Sequence, residues 1–343
     1  MAKYETNFIS QNKAPKNSKY IEVYNGTELV GKIKTGSLKL PQLENKLYSF
    51  GALSDTHTST AQAQRNFRNA LTYFNDVENV DFTCIAGDLT NEGTTEQLEV
   101  YRDYVNLYSP NTPVYEVTGN HELQSRTTEA PFDFLIPYTG HNLYYSFTRG
   151  NDVFIMFGMS GWYSYTQSSI FSVTSLQWLY ETLEANRNKR CIVFQHCPNF
   201  EGSGNPYEPV PTGDLLSSGT GPVFKSLMAH YKNVLWFHGH THISFEAQKD
   251  CTYANYDRLF GCHSVHIPSL ASVKVLNVEG NGYTVINSKG MGYVVDVYEN
   301  HIVLRGRDFV NEKFLPIATY CLDTTLQTIT PNTYTDIIGT ITT

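Results

Sequence analysis

The sequence has no CxxC cysteine pair, no apolar run long enough to cross a bilayer, no lysine–arginine cluster in its two long loops 160–171 and 199–221, and no internal repeat. Each absence removes a class of protein. The six cysteines (Cys84, Cys191, Cys197, Cys251, Cys262 and Cys321) are scattered without a CxxC spacing, which fits a reducing compartment better than a disulfide framework. Cys84 and Cys191 stand in apolar runs and read as small core residues. The opening stretch, MAKYETNFISQNKAPKNSKY, lacks the apolar segment of an export signal, so the expectation is a cytoplasmic protein without a membrane partner. The net charge of −8 and isoelectric point near 5.8 do not favour a nucleic-acid partner.

What is present begins with size, because 343 residues can bury a substantial core in one main domain with short appendages. Residues 1–45 read as an amino-terminal extension in which Asn25-Gly26 joins two strand-like runs as a β-hairpin. Residues 46–310 read as the catalytic domain and 311–343 as a carboxyl-terminal extension. Its Thr- and Ile-rich end, from about Thr324, is suited to a terminal strand or an arm.

Within the central region, LYSFGALSD, VDFTCIAGD, TPVYEVTGN, KRCIVFQH and KNVLWFHGH are short apolar runs that end in polar residues. Helix-compatible stretches lie between them, with apolar residues at helical spacing, as in Phe67, Leu71 and Phe74, then Leu98, Tyr101 and Val105. This alternation predicts an α/β core whose strands are covered on both faces, with ligands beyond their carboxyl ends. Beyond residue 243, GYTVINS, MGYVVDVYE and HIVLRGRDF predict a second set of strands that packs onto the first and closes a sandwich.

The polar ends of the five runs read Asp55-Thr-His57, Gly87-Asp88, Gly119-Asn120-His121-Glu122, Gln195-His196 and Gly239-His240-Thr-His242. Any one of them alone is commonplace; five in series, each after an apolar strand, point to a metal site. Imidazole with carboxylate binds first-row divalent ions such as Mn, Fe, Co, Ni or Zn, and no thiolate cluster is present to suggest a structural zinc. A bridging carboxylate would hold two such ions about 3.5–4 Å apart, the spacing used for in-line phosphoryl displacement. Gly87, Gly119 and Gly239 are expected to make the tight turns that let the backbone approach the ions.

These five blocks resemble the signature of the calcineurin-like metallophosphoesterase superfamily: D-x-H, G-D, G-N-H-E, a strand-terminal H and G-H-x-H. They stand in the family's order from Asp55 to His242. The resemblance implies a two-sheet β-sandwich flanked by helices, a four-layer α/β/β/α fold. It also implies that Asp55, His57 and His242 bind one ion, that Asp88 bridges, and that Asn120, His196 and His240 bind the other. His121 matches the family's acid or phosphate-contacting histidine. Asn91 stands where purple acid phosphatases carry a metal-bound tyrosine, and the G-D-x-V-D-R-G block of the serine/threonine phosphatases is absent. The segment GDLTNEG looks more like the phosphodiesterase-containing branch.

The implied chemistry is attack by a water or hydroxide bridging two ions, where its pKa falls from about 15.7 toward about 7. His121 would protonate the leaving alkoxide or bind a phosphoryl oxygen, and Glu122 would support a ligand histidine. His238 ends the run VLWF on the alternate face and reads as packed; Cys197 reads as structural. Two segments are candidates to choose a small or medium phosphate ester: 160–171, with Trp162, Tyr163, Tyr165 and Phe171, and the Gly/Pro-rich 199–221. Their aromatics either stack a base or sugar or tie the loop down. The sequence leaves the oligomeric state open. The competing expectations are a nuclease of the same superfamily, which needs a basic groove, and a non-catalytic scaffold, which needs no ligands.

Overall fold

The computed structural model describes residues 20–25, 28–34, 45–124, 128–161, 170–198, 216, 219–249, 256–258, 261–277, 282–331, 333, 334 and 337. The first half of the chain contains β1 (Tyr20–Asn25), β2 (Glu28–Lys34), β3 (Tyr48–Leu53), α1 (Ala61–Thr72), β4 (Phe82–Ile85), α2 (Thr95–Tyr108), β5 (Val114–Glu116), α3 (Ile136–Thr139), β6 (Tyr144–Arg149) and β7 (Asp152–Phe157). The second half contains α4 (Val173–Ala185), β8 (Cys191–Phe194), α5 (Gly221–His230), β9 (Val234–His238), β10 (Tyr256–Asp257), β11 (His263–His266), β12 (Val273–Asn277), β13 (Gly282–Ile286), β14 (Met291–Val297), β15 (His301–Asp308) and β16 (Lys313–Asp323).

Two six-stranded sheets form the centre, in the orders β16-β15-β14-β3-β4-β5 and β10-β11-β9-β8-β7-β6. The runs YSFGAL, FTCI, CIVF and VLWFH are buried along their whole length, as continuous apolar strands must be when both faces are covered. With β7 they supply the parallel pairs β3–β4, β7–β8 and β8–β9. Phe50, Phe82, Phe154, Phe194 and Phe237 meet between the sheets. Phe50 stacks on Phe82 at 5.5 Å and Phe194 on Phe237 at 4.9 Å, while Phe50 and Phe154 meet edge to face at 5.3 Å. Such pairs contribute about 0.5–1.5 kcal/mol each beyond their buried area.

Helices α1 and α2 pack on the outer face of the first sheet, and α4 and α5 on that of the second. This is the four-layer α/β/β/α sandwich. Thr60, Thr94 and Ser172 cap α1, α2 and α4 by accepting from the N–H groups of Ala63, Gln97 and Ser175, worth about 1 kcal/mol each. The predicted helix through Val77 is α-helical only to Thr72 and then widens into a π turn over Tyr73–Glu78. Phe74 in that turn lies where a side chain at Gly51 would sit, 2.4 Å from its ideal Cβ.

Three expectations are corrected or extended. The strands beyond residue 243 do not form one separate second set: β14–β16 extend the sheet of β3–β5, β10 and β11 extend the sheet of β7–β9, and β12 and β13 pair as a two-stranded sheet of their own. The reason is that the amino-terminal runs already divide between two sheets, leaving each with an open edge that a later strand covers. The hairpin β6–β7 turns at Gly150, which has positive φ, and was not among the expected strands. Residues 324–331 carry no strand. Gln327 exchanges backbone hydrogen bonds with the Asn233 side chain, and Ile329 is buried in the cluster under α4 and α5. β1 and β2 pair antiparallel from Tyr20↔Lys34 to Asn25↔Glu28.

At the end of the sandwich where β3, β7 and β8 begin, Arg190 forms a buried bidentate pair with Asp152 at 3.0 and 2.6 Å. Asp152 also accepts from the Tyr48 hydroxyl at 2.5 Å, and Arg190 donates to Tyr298 O and Thr324 Oγ1. Burial and the neighbouring carboxylate push the Tyr48 phenol far above its usual range. Among the described residues, no helix is long and apolar enough to cross a membrane.

Candidate metal centre

The five ligand-bearing loops leave the carboxyl ends of β3, β4 and β5 in one sheet and of β8 and β9 in the other, so they converge over the seam between the sheets. Two groups of side chains have ligand atoms within 4.8 Å of one another: Asp55, His57, Asp88 and His242, and then Asp88, His196 and His240. Asp88 belongs to both. Its Oδ2 lies 3.1 Å from His196 Nε2 and 3.8 Å from His57 Nε2, while Asp55 Oδ1 lies 2.9 Å from His242 Nε2. Asn120 is buried nearby, and its amide oxygen has no hydrogen-bond partner.

The imidazoles are aimed by one short stretch of backbone after β4. Nδ1–H of His196 donates to Ala86 O at 2.7 Å, that of His57 to Thr90 O at 3.1 Å, and that of His121 to Asn91 O at 2.6 Å. These partners fix the tautomers and leave each Nε2 lone pair free. The His57 and His242 Nε2 atoms then stand 3.2 Å apart, and His196 Nε2 faces His240 Nδ1 at 3.2 Å as well as Asp88. Lone pairs held against one another and against carboxylates repel unless a proton or a cation lies between them. That donor set, with an orphaned Asn120 oxygen, fits two divalent ions sharing Asp88.

The titration directions agree with a site that calls for positive charge. Burial, opposed by Asp88, lowers His57 to about 4. His196 is also disfavoured by burial, but Asp88 and Asp55 prevail and raise it to about 9. Burial opposes ionisation of Asp55 and Asp88, yet the adjacent histidines hold both carboxyls below their usual range.

Five of the ligand candidates have left-handed backbone: Asp55 (φ 52°), His57 (40°), Asp88 (52°), His240 (73°) and His242 (61°). For a non-glycine residue this costs roughly 1–2 kcal/mol. Backbone bonds maintain it, from Asp55 N to Gly87 O and from His57 N to Asp88 O. Gly87, at φ 87°, makes the expected tight turn. Gly119 and Gly239 have another cause. A Cβ on Gly119 would lie 2.1 Å from Asp88 Oδ1, and one on Gly239 would lie 2.4 Å from Asp55 Oδ2. Their bareness lets His121 N and His240 N donate to those same carboxylates at 2.9 and 3.0 Å.

His121 lies at the rim, with Nε2 3.9 Å from Asp88 Oδ2 and its ring edge-on to His57 at 4.7 Å. Glu122 does not touch a ligand histidine directly. Its carboxylate accepts from Thr90 N, Thr90 Oγ1 and Gly119 N, so it reaches His57 through the Thr90 carbonyl. Burial and Asp88 raise its pKa to about 6. His238 is buried 3.2 Å from Ser264 Oγ, and Cys197 packs on Met159. Phe171 is buried against Phe157 and Phe224 and serves the core; Trp162, Tyr163, Tyr165 and most of 199–221 lie outside the described residues. Sequence reading missed Thr90 and Thr241, whose hydroxyl lies 2.8 Å from His266 Nε2. The only signal was their place between ligands.

The calcineurin-like phosphoesterase model matches residues 48–244, more than half the chain, and the chain belongs to that family. No curated protein is a significant match. The chain is similar in structure to GAP50, the anchor in the inner membrane complex of Plasmodium, at 13% identity and a TM-score of 0.50, covering 86% of this chain and 94% of that one. It is also similar to Vacuolar Protein Sorting 29 from Cryptosporidium parvum (12% identity, TM-score 0.37, 80% and 99% covered) and to an archaeal phosphodiesterase (14%, 0.28, 69% and 98%).

Proposed function

We propose that this chain hydrolyses a phosphate ester, a phosphodiester foremost, at a dinuclear metal centre. The observation that carries the reading is Asp88, the one carboxylate common to both ligand groups. Asp55, His57 and His242 would hold one ion and Asn120, His196 and His240 the other, with Asp88 between them. Bound there, the ions would bring the pKa of a water toward about 7 and neutralise phosphoryl charge. The preference for a diester rests on the GDLTNEG segment and on Asn91 at the position where a tyrosine ligand would stand.

The chain's own contribution is orientation and proton transfer. The 86–91 backbone fixes three imidazoles before substrate arrives, so little reorganisation remains for the reaction. His121, with Nδ1–H committed to Asn91 O, would take a proton on Nε2 and, as the imidazolium, pass it to the leaving-group oxygen. Five described cysteines are free thiols, which suits a reducing compartment. Residues 46–310 are taken as the catalytic unit, with 1–45 and 311–343 as extensions.

The test compares hydrolysis of bis(p-nitrophenyl) phosphate and p-nitrophenyl phosphate by metal-stripped protein resupplied with Mn, Fe, Co, Ni or Zn. Metal-dependent turnover, faster on the diester and lost in Asp88→Asn, is the expected result. A folded chain that binds no metal would overturn it in favour of a scaffold, a reading prompted by the anchor GAP50. The intact ligand set argues for catalysis.

A further inference from the structure

Helix α2 opens with Thr94-Thr95-Glu96-Gln97, the Thr-x-x-Gln spacing of a capping box, in which the glutamine side chain ordinarily returns to the N–H of the cap residue. Half of the box is as expected, with Gln97 N–H donating to Thr94 Oγ1 at 3.4 Å. The Gln97 side chain reaches further back. Its Oε1 accepts from Glu92 N–H at 2.9 Å and from Asn91 N–H at 3.1 Å, the latter shared with Ser59 Oγ at 3.2 Å. The helix that carries Gln97 is itself anchored, with Leu98 and Tyr101 buried in two different clusters of the core.

The Asn91 carbonyl and the Glu92 N–H belong to one planar peptide unit and point in opposite directions, so an acceptor fixed on that N–H also sets where the carbonyl points. It points at His121, 2.6 Å from Nδ1. The same ring nitrogen lies 3.1 Å from Gln124 Nε2, an amide donor. These two neighbours call for opposite tautomers. Asn91 O requires the proton on Nδ1 and leaves a lone pair on Nε2, the atom 3.9 Å from Asp88 Oδ2. The Gln124 amide requires the lone pair on Nδ1 and places the proton on Nε2.

We propose that Gln97 is a positioning residue for His121: by holding the Asn91–Glu92 peptide unit it keeps the Asn91 carbonyl on Nδ1 and selects the Nδ1–H tautomer against Gln124. The catalytic consequence rests on the phosphoesterase reading and deepens it. A ring with a vacant Nε2 can take up the proton that it passes to the leaving-group oxygen; a ring already protonated there and open at Nδ1 cannot. Esters with a basic leaving group need that proton, whereas p-nitrophenolate departs without it. Gln97 therefore matters most for substrates whose leaving group is a poor one.

The experiment is long-range proton–nitrogen NMR of the Zn-loaded full chain labelled with 15N-histidine, for wild type, Gln97→Leu and Gln97→Glu, with bound Zn measured in each and His121→Ala identifying the His121 signals. Expected is the Nδ1–H tautomer in wild type and in Gln97→Glu, which keeps the acceptor, and a shift toward Nε2–H in Gln97→Leu at unchanged Zn content. In turnover, Gln97→Leu should lower kcat about tenfold on diphenyl phosphate and less than about twofold on bis(p-nitrophenyl) phosphate, with KM little changed. The loss should vanish when the substitution is made in His121→Ala. An unshifted tautomer in Gln97→Leu overturns the proposal, as does an Nε2–H wild type, an equal loss of kcat in the His121→Ala background, or loss of Zn from Gln97→Leu. A wild type that hydrolyses no ester would overturn the phosphoesterase reading, while the tautomer still decides the role of Gln97.

Discussion

The two ends of the sandwich solve opposite problems with similar residues. Where β3, β7 and β8 begin, Tyr48, Asp152 and Arg190 are buried and mutually satisfied, with both carboxylate oxygens and the guanidinium engaged. Where the same sheets end, Asp55, Asp88 and four histidines are crowded with lone pairs facing one another, on backbone that is left-handed at five residues. Buried charge at one end closes the structure with partners from the chain itself. At the other it leaves a partner to be supplied from outside.

That contrast predicts separable losses. The largest is at the ligand end: Asp88→Asn should lower metal-dependent hydrolysis by at least about a hundredfold, beyond the 10–100-fold typical of an outer-shell change. Metal analysis should show fewer than two ions in a protein that still folds by circular dichroism. At the opposite end, Arg190→Met strands the Asp152 carboxylate and should cost about 3–5 kcal/mol in denaturant unfolding. The fraction that remains folded should keep both ions. Equal damage to metal binding and stability in both variants would break the comparison.

Two smaller changes sharpen it. Gly239→Ala drives a methyl against Ser54 Oγ and Asp55 Oδ2. It should destabilise by about 1–3 kcal/mol and weaken metal binding, seen as a loss of the thermal shift that added Mn gives the wild type. Asn233→Ala removes the two hydrogen bonds to Gln327 that tether the carboxyl-terminal arm. About 1–2 kcal/mol should be lost, with no change in metal content.

The ligand end was the more legible in sequence, and the reason is geometric. A strand buried on both faces must be apolar throughout, so the first polar residues after YSFGAL, FTCI, CIVF and VLWF stand out and share one edge of the fold. The closed end is different: Tyr48, Asp152 and Arg190 are far apart in sequence and stand singly at the starts of their strands. No local pattern marks a pair made across 38 residues. Sheet membership was equally hidden, because FTCI and CIVF look alike although they lie in different sheets. Thr90 acquires its place in the site from a neighbour brought by the fold, Glu122.

The left-handed ligand residues also bear on how this protein would respond to selection in the laboratory. Glycine is at ease where Asp55, His57, Asp88, His240 and His242 sit, and asparagine tolerates it better than most. A library screened for heat resistance alone, without metal, would therefore enrich exchanges at these very positions. Its winners would be sturdier proteins that had given up their chemistry, so an engineer seeking a robust catalyst must keep metal in the screen from the first round.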